Sequence, residues 1–318
     1  MGKKQKKTPK SYYIIGVLVL ILVAVLLQLK FDVPPETLMV GYTDESSRFI
    51  EIDDLTIHYR DEGTGDPLIL LHGAASSLHT WDGWARELKN DYRIIRPDLP
   101  AFGLTGPHPG NEHQYDLTFY TEFLNKFLEA LQIEECYLAG NSLGGGIAWL
   151  YASSHPEQIR KAILVSPVGY SSVGPRFLKL TRSPLAETVI SYLTPEFAVN
   201  YFVRMVYGDN SRMDPDVPRR YYHLLLREGN RPALIQVMNS LHDLEETHSP
   251  ETHLNIKAPT LIMWGDKDRL LPVENASRFK EDIPDSVKII YEGVGHIPME
   301  EIPSETAREA RNFLQSGK

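Results

Sequence analysis

Short apolar runs alternate with helix-periodic stretches along most of this chain. FIEIDDLTIHYRD (49–61) reads as a hairpin, two alternating strands around a polar turn. PLILLHG (67–73), YRIIRPD (92–98), CYLAG (136–140), KAILVS (161–166), TLIMWG (260–265) and VKIIYEG (287–293) are strand-length runs rich in branched side chains. Between them lie helical patterns. One holds Trp81, Trp84 and Leu88. A second has Leu117, Tyr120, Phe123, Leu124, Phe127, Leu128 and Leu131 on one face. A third, LGGGIAWLYASSHP (143–156), is closed by Pro156, and two more surround Val273–Phe279 and run from Ser304 to Gln315. Strands this short and this apolar, separated by helices, predict an α/β domain with a buried, mostly parallel sheet flanked by helices.

One segment breaks the alternation. Residues 170–255 are helix-periodic throughout and contain no clear strand. They are expected to form a helical cap inserted between two strands of a core made from 48–169 and 256–318. Apolar cap residues at helical spacing (Tyr192, Phe197, Tyr201, Phe202, Met205 and Val206) suggest either packing beneath the cap or the wall of an apolar acyl pocket.

The N-terminus is a different kind of polypeptide. YYIIGVLVLILVAVLLQL (12–29) has no charge and follows five lysines. As a helix it would span about 27 Å, enough for a hydrocarbon core. Tyr12 and Tyr13 stand where an interfacial aromatic belt would lie. A cleaved signal has a shorter apolar stretch and a small-residue cleavage site, and QLKFDVPPE (28–36) offers none. Residues 1–30 therefore read as a basic tail and transmembrane anchor. The lysines favour a cytoplasmic N-terminus and place the remainder on the periplasmic, extracellular or lumenal side. Residues 31–47, with Pro34-Pro35 and a polar end, read as a linker.

Charge sharpens this division. The net charge of −9 combines +6 from residues 1–30 with −15 from the rest. Such an acidic domain is a poor candidate for nucleic-acid binding. A single cysteine, Cys136, excludes an internal disulfide framework and a cysteine-based zinc site. No metal or organic cofactor is implied, and the sequence sets no oligomeric state.

The chemistry gathers at three places. Gly140-Asn141-Ser142-Leu143-Gly144 fits G-x-S-x-G between an expected strand and an expected helix. That context lifts a serine hydroxyl above the sheet on a sharp turn, with Gly140 and Gly144 leaving room for the backbone. A serine needs a base. His296, after the last expected strand, stands third in the order serine, acid, histidine. The acid that orients it is Asp266 or Asp268, in WGDKDR (264–269). Oxyanion donors would be the N–H of Leu143 and, from the turn after an earlier strand, that of Ala74, with His72 structural.

Taken together, LLHGAA (70–75), DLPAFGLT (98–105), AGNSLGGG (139–146), WGDKDRLLP (264–272) and GVGHIPMEEIP (293–303) resemble the α/β-hydrolase family over nearly all of residues 48–316. The resemblance implies the α/β-hydrolase fold, a serine hydrolase and Asp268 as the acid. DLPAFGLT departs from the family's D-x-P-G-x-G-x-S loop at Ala101 and Thr105. Ser142 separates the chain from relatives with aspartate at this position, which dehalogenate alkanes or open epoxides. Ile297, after His296, departs from the aromatic residue found there in arylalkyl C–C hydrolases. Within the family the chain resembles membrane-bound carboxylesterases and monoacylglycerol lipases, which implies cleavage of small-molecule or lipid esters through an acyl-enzyme. C–C bond or thioester hydrolysis on the same residues, and a non-catalytic ligand-binding protein on this fold, are the alternatives.

Overall fold

A computed structural model of the chain describes residues 30–109, 115–170, 192–247 and 255–317, with side chains except at 242–247. An eight-stranded sheet organises it: β1 Ser47–Ile52, β2 Leu55–Glu62, β3 Pro67–Leu71, β4 Arg93–Pro97, β5 Cys136–Asn141, β6 Ile159–Val165, β7 Thr260–Gly265 and β8 Ser286–Tyr291, in the order β1-β2-β4-β3-β5-β6-β7-β8. Pairs β1–β2 and β2–β4 are antiparallel and all others parallel. The first hairpin turns at Asp53 and Asp54, both with positive φ (49° and 62°), the two-residue turn whose twist suits a hairpin.

The helices are α1 Pro35–Tyr42, α2 Asp82–Leu88, α3 Leu117–Ala130, α4 Leu143–Ser154, α5 Glu196–Val206, α6 Val217–Leu225, α7 Asn230–Thr247, α8 Asn275–Asp282, α9 Pro298–Glu301 and α10 Pro303–Gln315. Alternation along the central strands sorts the core into two layers, because successive side chains point to opposite faces. Ile69, Leu71, Leu138 and Leu164 pack with α3, α4 and Phe279 of α8. Leu68, Leu70, Ala139 and Ile163 pack with Trp84 and Leu88 of α2 and Ala307, Ala310 and Leu314 of α10. Strands covered on both faces must be apolar throughout, which is why the central ones lack a polar face. Asp116 caps α3 by accepting from Phe119 N at 2.8 Å, and the helix buries Leu117, Tyr120, Phe123, Leu124, Phe127 and Leu128.

Two expectations need correction. Residues 31–47 are not an irregular linker. Pro35 opens α1 at its first turn, where a missing N–H costs nothing. Leu38 then buries against Leu104 and Leu224, and the Tyr42 hydroxyl meets His223 Nδ1 at 3.0 Å. That burial comes from tertiary partners and is invisible in a proline-marked stretch. The cap aromatics also divide. Val206 is buried and Phe202 and Met205 are half-buried, whereas Tyr192, Phe197 and Tyr201 face solvent.

Between β6 and β7 the described residues hold helices α5 to α7 and no strand of the sheet. The apolar segment 12–29 lies outside the described residues, and among those that are described no helix is long and apolar enough to cross a membrane.

Candidate active site

Parallel strands place their carboxyl ends on one edge of the sheet, and the loops leaving that edge build the site. The register brings them side by side: Leu71 pairs with Gly140, Asn141 with Val165, Val165 with Met263, and Gly265 with Tyr291. The residues expected to carry the chemistry follow directly, Ala74 after β3, Ser142 after β5, Asp268 after β7 and His296 after β8.

Ser142 sits at the elbow between β5 and α4 with φ 54° and ψ −113°, a conformation L-residues rarely hold. Its neighbours over-determine it: Ser142 N donates to Val165 O at 3.0 Å, and its carbonyl accepts from Gly146 N at 2.9 Å and Val168 N at 3.1 Å. The elbow closes only because its flanks lack side chains. A Cβ on Gly140 would lie 2.0 Å from Gly144 O, and one on Gly144 would lie 2.2 Å from Leu71 O and 2.7 Å from His72 O. Gly144→Ala must push α4 off β3. It is expected to cost about 1–3 kcal/mol and, by displacing the turn after β3, to lower turnover about 100-fold or more. Thermal unfolding and ester turnover check this, with Gly41→Ala as the control, because nothing lies within 4 Å of a Cβ there.

The turn after β3 crosses close over the serine. A Cβ on Gly73 would lie 3.1 Å from Ser142 Cβ and 3.0 Å from Asn141 Oδ1. Among the described residues neither the Ala74 N–H nor the Leu143 N–H, at the first turn of α4, has a protein acceptor. Two backbone donors left open beside a serine suit a developing oxyanion. His72 is structural: it is fully buried, its Nδ1 donates to Gly73 O at 2.8 Å and its Nε2 accepts from Leu99 N at 2.9 Å. Burial holds its pKa below the ordinary imidazole value, so it braces the turn as a neutral ring.

Leu99 belongs to the departing loop DLPAFGLT. There the Asp98 carboxylate is buried. It accepts from Leu78 N at 2.8 Å and Leu104 N at 2.9 Å, and meets His58 Nδ1 at 2.8 Å. Burial alone would raise its pKa, but the hydrogen bond with His58 and the electrostatics of that pair hold it well below the usual carboxylate range. Thr105 donates its hydroxyl to Asp98 O at 2.8 Å and accepts from His58 N at 3.0 Å. Ala101 adopts φ 79°, a conformation glycine would hold without strain.

The acid left open by spacing is distinguished by its partners. Asp268 Oδ2 meets His296 Nδ1 at 2.8 Å, while its Oδ1 accepts from Leu270 N at 2.8 Å and Leu271 N at 3.0 Å. Its side chain is fully buried and that of His296 is 5% exposed. Asp266 accepts from Gly293 N at 2.7 Å and pairs with Lys267 at the surface. Of the two aspartates, it is Asp268 that meets His296.

Two further residues hold this loop and were not singled out in the sequence. Asn141 donates its side-chain amide to Val165 O at 3.0 Å and to His296 O at 3.1 Å, tying elbow to histidine. Glu301, buried in α9, accepts from Gly295 N at 2.8 Å, Gly208 N at 2.9 Å and Asp209 N at 2.9 Å. It clamps the His296 loop to the end of α5, where His296 N also donates to Val206 O at 2.8 Å. Both stood in plain view, one inside G-x-S-x-G and one five residues past the histidine, but the partners that fix their roles, Val165 and His296 for one and Gly208 and Asp209 for the other, are distant in sequence. Glu301→Gln places an amide N–H₂ against backbone donors. It is expected to cost about 1–3 kcal/mol, read by thermal unfolding, and to lower kcat through a loosened His296 loop.

Among the described residues no group of His, Cys, Asp and Glu could hold a metal ion. Chemically, a strained serine, a carboxylate-aligned imidazole and two open N–H groups on one sheet edge equip the site for nucleophilic attack on a polarised carbonyl.

This fold and this sheet edge define a hydrolytic enzyme of the α/β-hydrolase class. The family described as alpha/beta hydrolase fold matches residues 66–303, and the chain belongs to it. It is 28% identical to Lipase 3 of Moraxella sp. (strain TA144), over 88% of this chain and 91% of that protein. It is 25% identical to a 2-hydroxy-6-oxo-6-(2'-aminophenyl)hexa-2,4-dienoic acid hydrolase of Metapseudomonas resinovorans, over 84% of this chain and 90% of that one. Among solved structures, a membrane phospholipase A described as a bacterial virulence factor superposes with a TM-score of 0.72 at 29% identity, covering 96% of this chain and 98% of the other.

Proposed function

We propose that the protein is a serine carboxylic-ester hydrolase acting on acylglycerol-like or other apolar acyl esters. Ser142 Oγ attacks the ester carbonyl while His296 Nε2 takes its proton. Asp268 holds the imidazole in the required tautomer and stabilises it once protonated. The N–H groups of Ala74 and Leu143 hold the oxyanion. His296 then protonates the leaving alcohol, and a water activated by His296 releases the acid from the acyl-enzyme. The observation that carries this reading is the His296–Asp268 hydrogen bond, made on the sheet edge where Ser142 occupies its strained elbow.

The lipase relative and the membrane phospholipase A support a lipid-like ester. The five lysines and the uncharged run 12–29 support a single-pass anchor, with the N-terminus cytoplasmic and the catalytic domain on the other side. Labelling by a fluorophosphonate probe, followed by a chain-length series of esters, tests the reading. Folded protein that fails to react would point to a ligand-binding protein. The dienoic-acid hydrolase relative keeps carbon–carbon cleavage as the second reading. Matched ester, thioester and dienoate substrates separate them, with the ester expected to turn over fastest.

A further inference from the structure

The chain that follows the apolar N-terminal run is fastened to the cap from its first described residue. Lys30 N donates to Tyr192 O at 3.3 Å, and Lys30 O accepts from Arg231 at 2.8 Å. Asp32 pairs with the buried Arg231 at 2.6 Å. Val33 N donates to Leu226 O at 2.8 Å, and Val33 O accepts from Glu228 N at 3.0 Å. The apolar run ends at Leu29. No slack chain separates it from the cap, so wherever that run sits, this edge of the cap sits beside it.

Aromatic rings stand exposed at these contacts and on α5, which packs against α6 just before Leu226. Phe31 is 89% exposed, Tyr192 61%, Phe197 71% and Tyr201 68%. In α5, Phe197 and Tyr201 are four residues apart and share a face, while Val199, Val203 and Val206 are buried on the other. A surface helix normally turns a polar face to water; the exposed face of α5 instead carries Phe197 and Tyr201. Arg204 follows on the exposed face. Large aromatics with a cation, next to the end of a membrane-length apolar run, have the composition of an interfacial belt.

We propose that the face formed by Phe31, Tyr192, Phe197 and Tyr201 docks on a phospholipid bilayer, with its rings in the headgroup layer and the cap held against the membrane. This rests on the reading of residues 12–29 as an anchor. The proposed source of the attraction is apolar insertion. The domain's negative charge would otherwise repel an anionic surface.

The test uses the full chain in phosphatidylethanolamine–phosphatidylglycerol vesicles, with a fluorophore at Phe197→Cys and, as control, at Val287→Cys. Val287 is 54% exposed at the amino end of β8, away from the cap edge of the sheet. The native Cys136 is buried and leaves the label selective. Flotation with the vesicles in high salt reads the anchor; quenching by acyl-brominated lipid reads the docking. The label at 197 is expected to be quenched by brominated lipid and shielded from aqueous iodide, and the label at 287 the reverse. Protein that floats but shows iodide quenching at 197 overturns the docking and leaves the anchor standing. Protein that does not float overturns the anchor and the docking with it. A label shielded from both quenchers means that a second copy covers the face, which also overturns the proposal. The pair Phe197→Ser and Tyr201→Ser is expected to lower turnover of a vesicle-borne ester about tenfold while sparing a soluble short-chain ester. Equal effects on both substrates would count against docking.

Discussion

Replacing Ser142 with alanine is expected to stop hydrolysis of a p-nitrophenyl ester while leaving the fold intact. Loss of a serine nucleophile from such an arrangement lowers kcat by about 10⁶-fold. What survives is the modest catalysis that open N–H donors and substrate binding supply by themselves. Stability should barely change. Ser142 keeps its place through main-chain bonds to Val165, Gly146 and Val168, all of which alanine retains. The check is a rate assay beside a thermal melt, together with loss of fluorophosphonate labelling. A variant that melts as the parent does and still turns over the ester would remove Ser142 from the reaction.

The second large effect is expected at Asp268, with Asp266 as its internal control. In Asp268→Asn, an amide N–H₂ replaces one carboxylate oxygen. Asp268 Oδ1 receives two backbone N–H groups, from Leu270 and Leu271, so the asparagine oxygen is retained there and its N–H₂ faces His296. His296 Nδ1 must then accept, which moves the ring proton to Nε2 and leaves no lone pair for the serine proton. A loss of about 10⁴-fold in kcat is expected from the wrong tautomer. Asp266→Asn keeps an oxygen for Gly293 N and touches no histidine, so its rate should stay near that of the parent. Steady-state kinetics of both variants decide the matter, and a larger loss at Asp266 would reassign the acid.

Much of the fold was legible because it is written locally. Runs such as LILL and LIMW are apolar at consecutive positions because both faces of the sheet are covered, and α3 repeats its apolar residues at the helical period because one side is buried. The elbow was legible because glycines flank a serine between a strand and a helix. Residues 31–47 were not. Two prolines suggested irregular chain, yet Pro35 starts α1 and Leu38 finds Leu104 and Leu224, more than sixty residues away in sequence. The apolar residues of the helical segment 192–206 divide for the same reason. Helical spacing groups Phe197 with Tyr201, but only packing decides whether that face meets the core or the solvent.

The sequence by itself determined the alternation of strands and helices from residue 48 onward, the serine elbow, the histidine after the last strand and the separation of a basic apolar N-terminus from an acidic remainder. All of these depend on residues close together in the chain. Only the tertiary structure set Asp268 rather than Asp266 against His296, found Asn141 and Glu301, and fastened residues 30–33 to Tyr192, Leu226 and Arg231. Each of these depends on a partner fixed by the register of the sheet and the docking of distant helices. Two aspartates two residues apart are chemically alike in sequence, and a buried hydrogen bond to His296 is what makes them different.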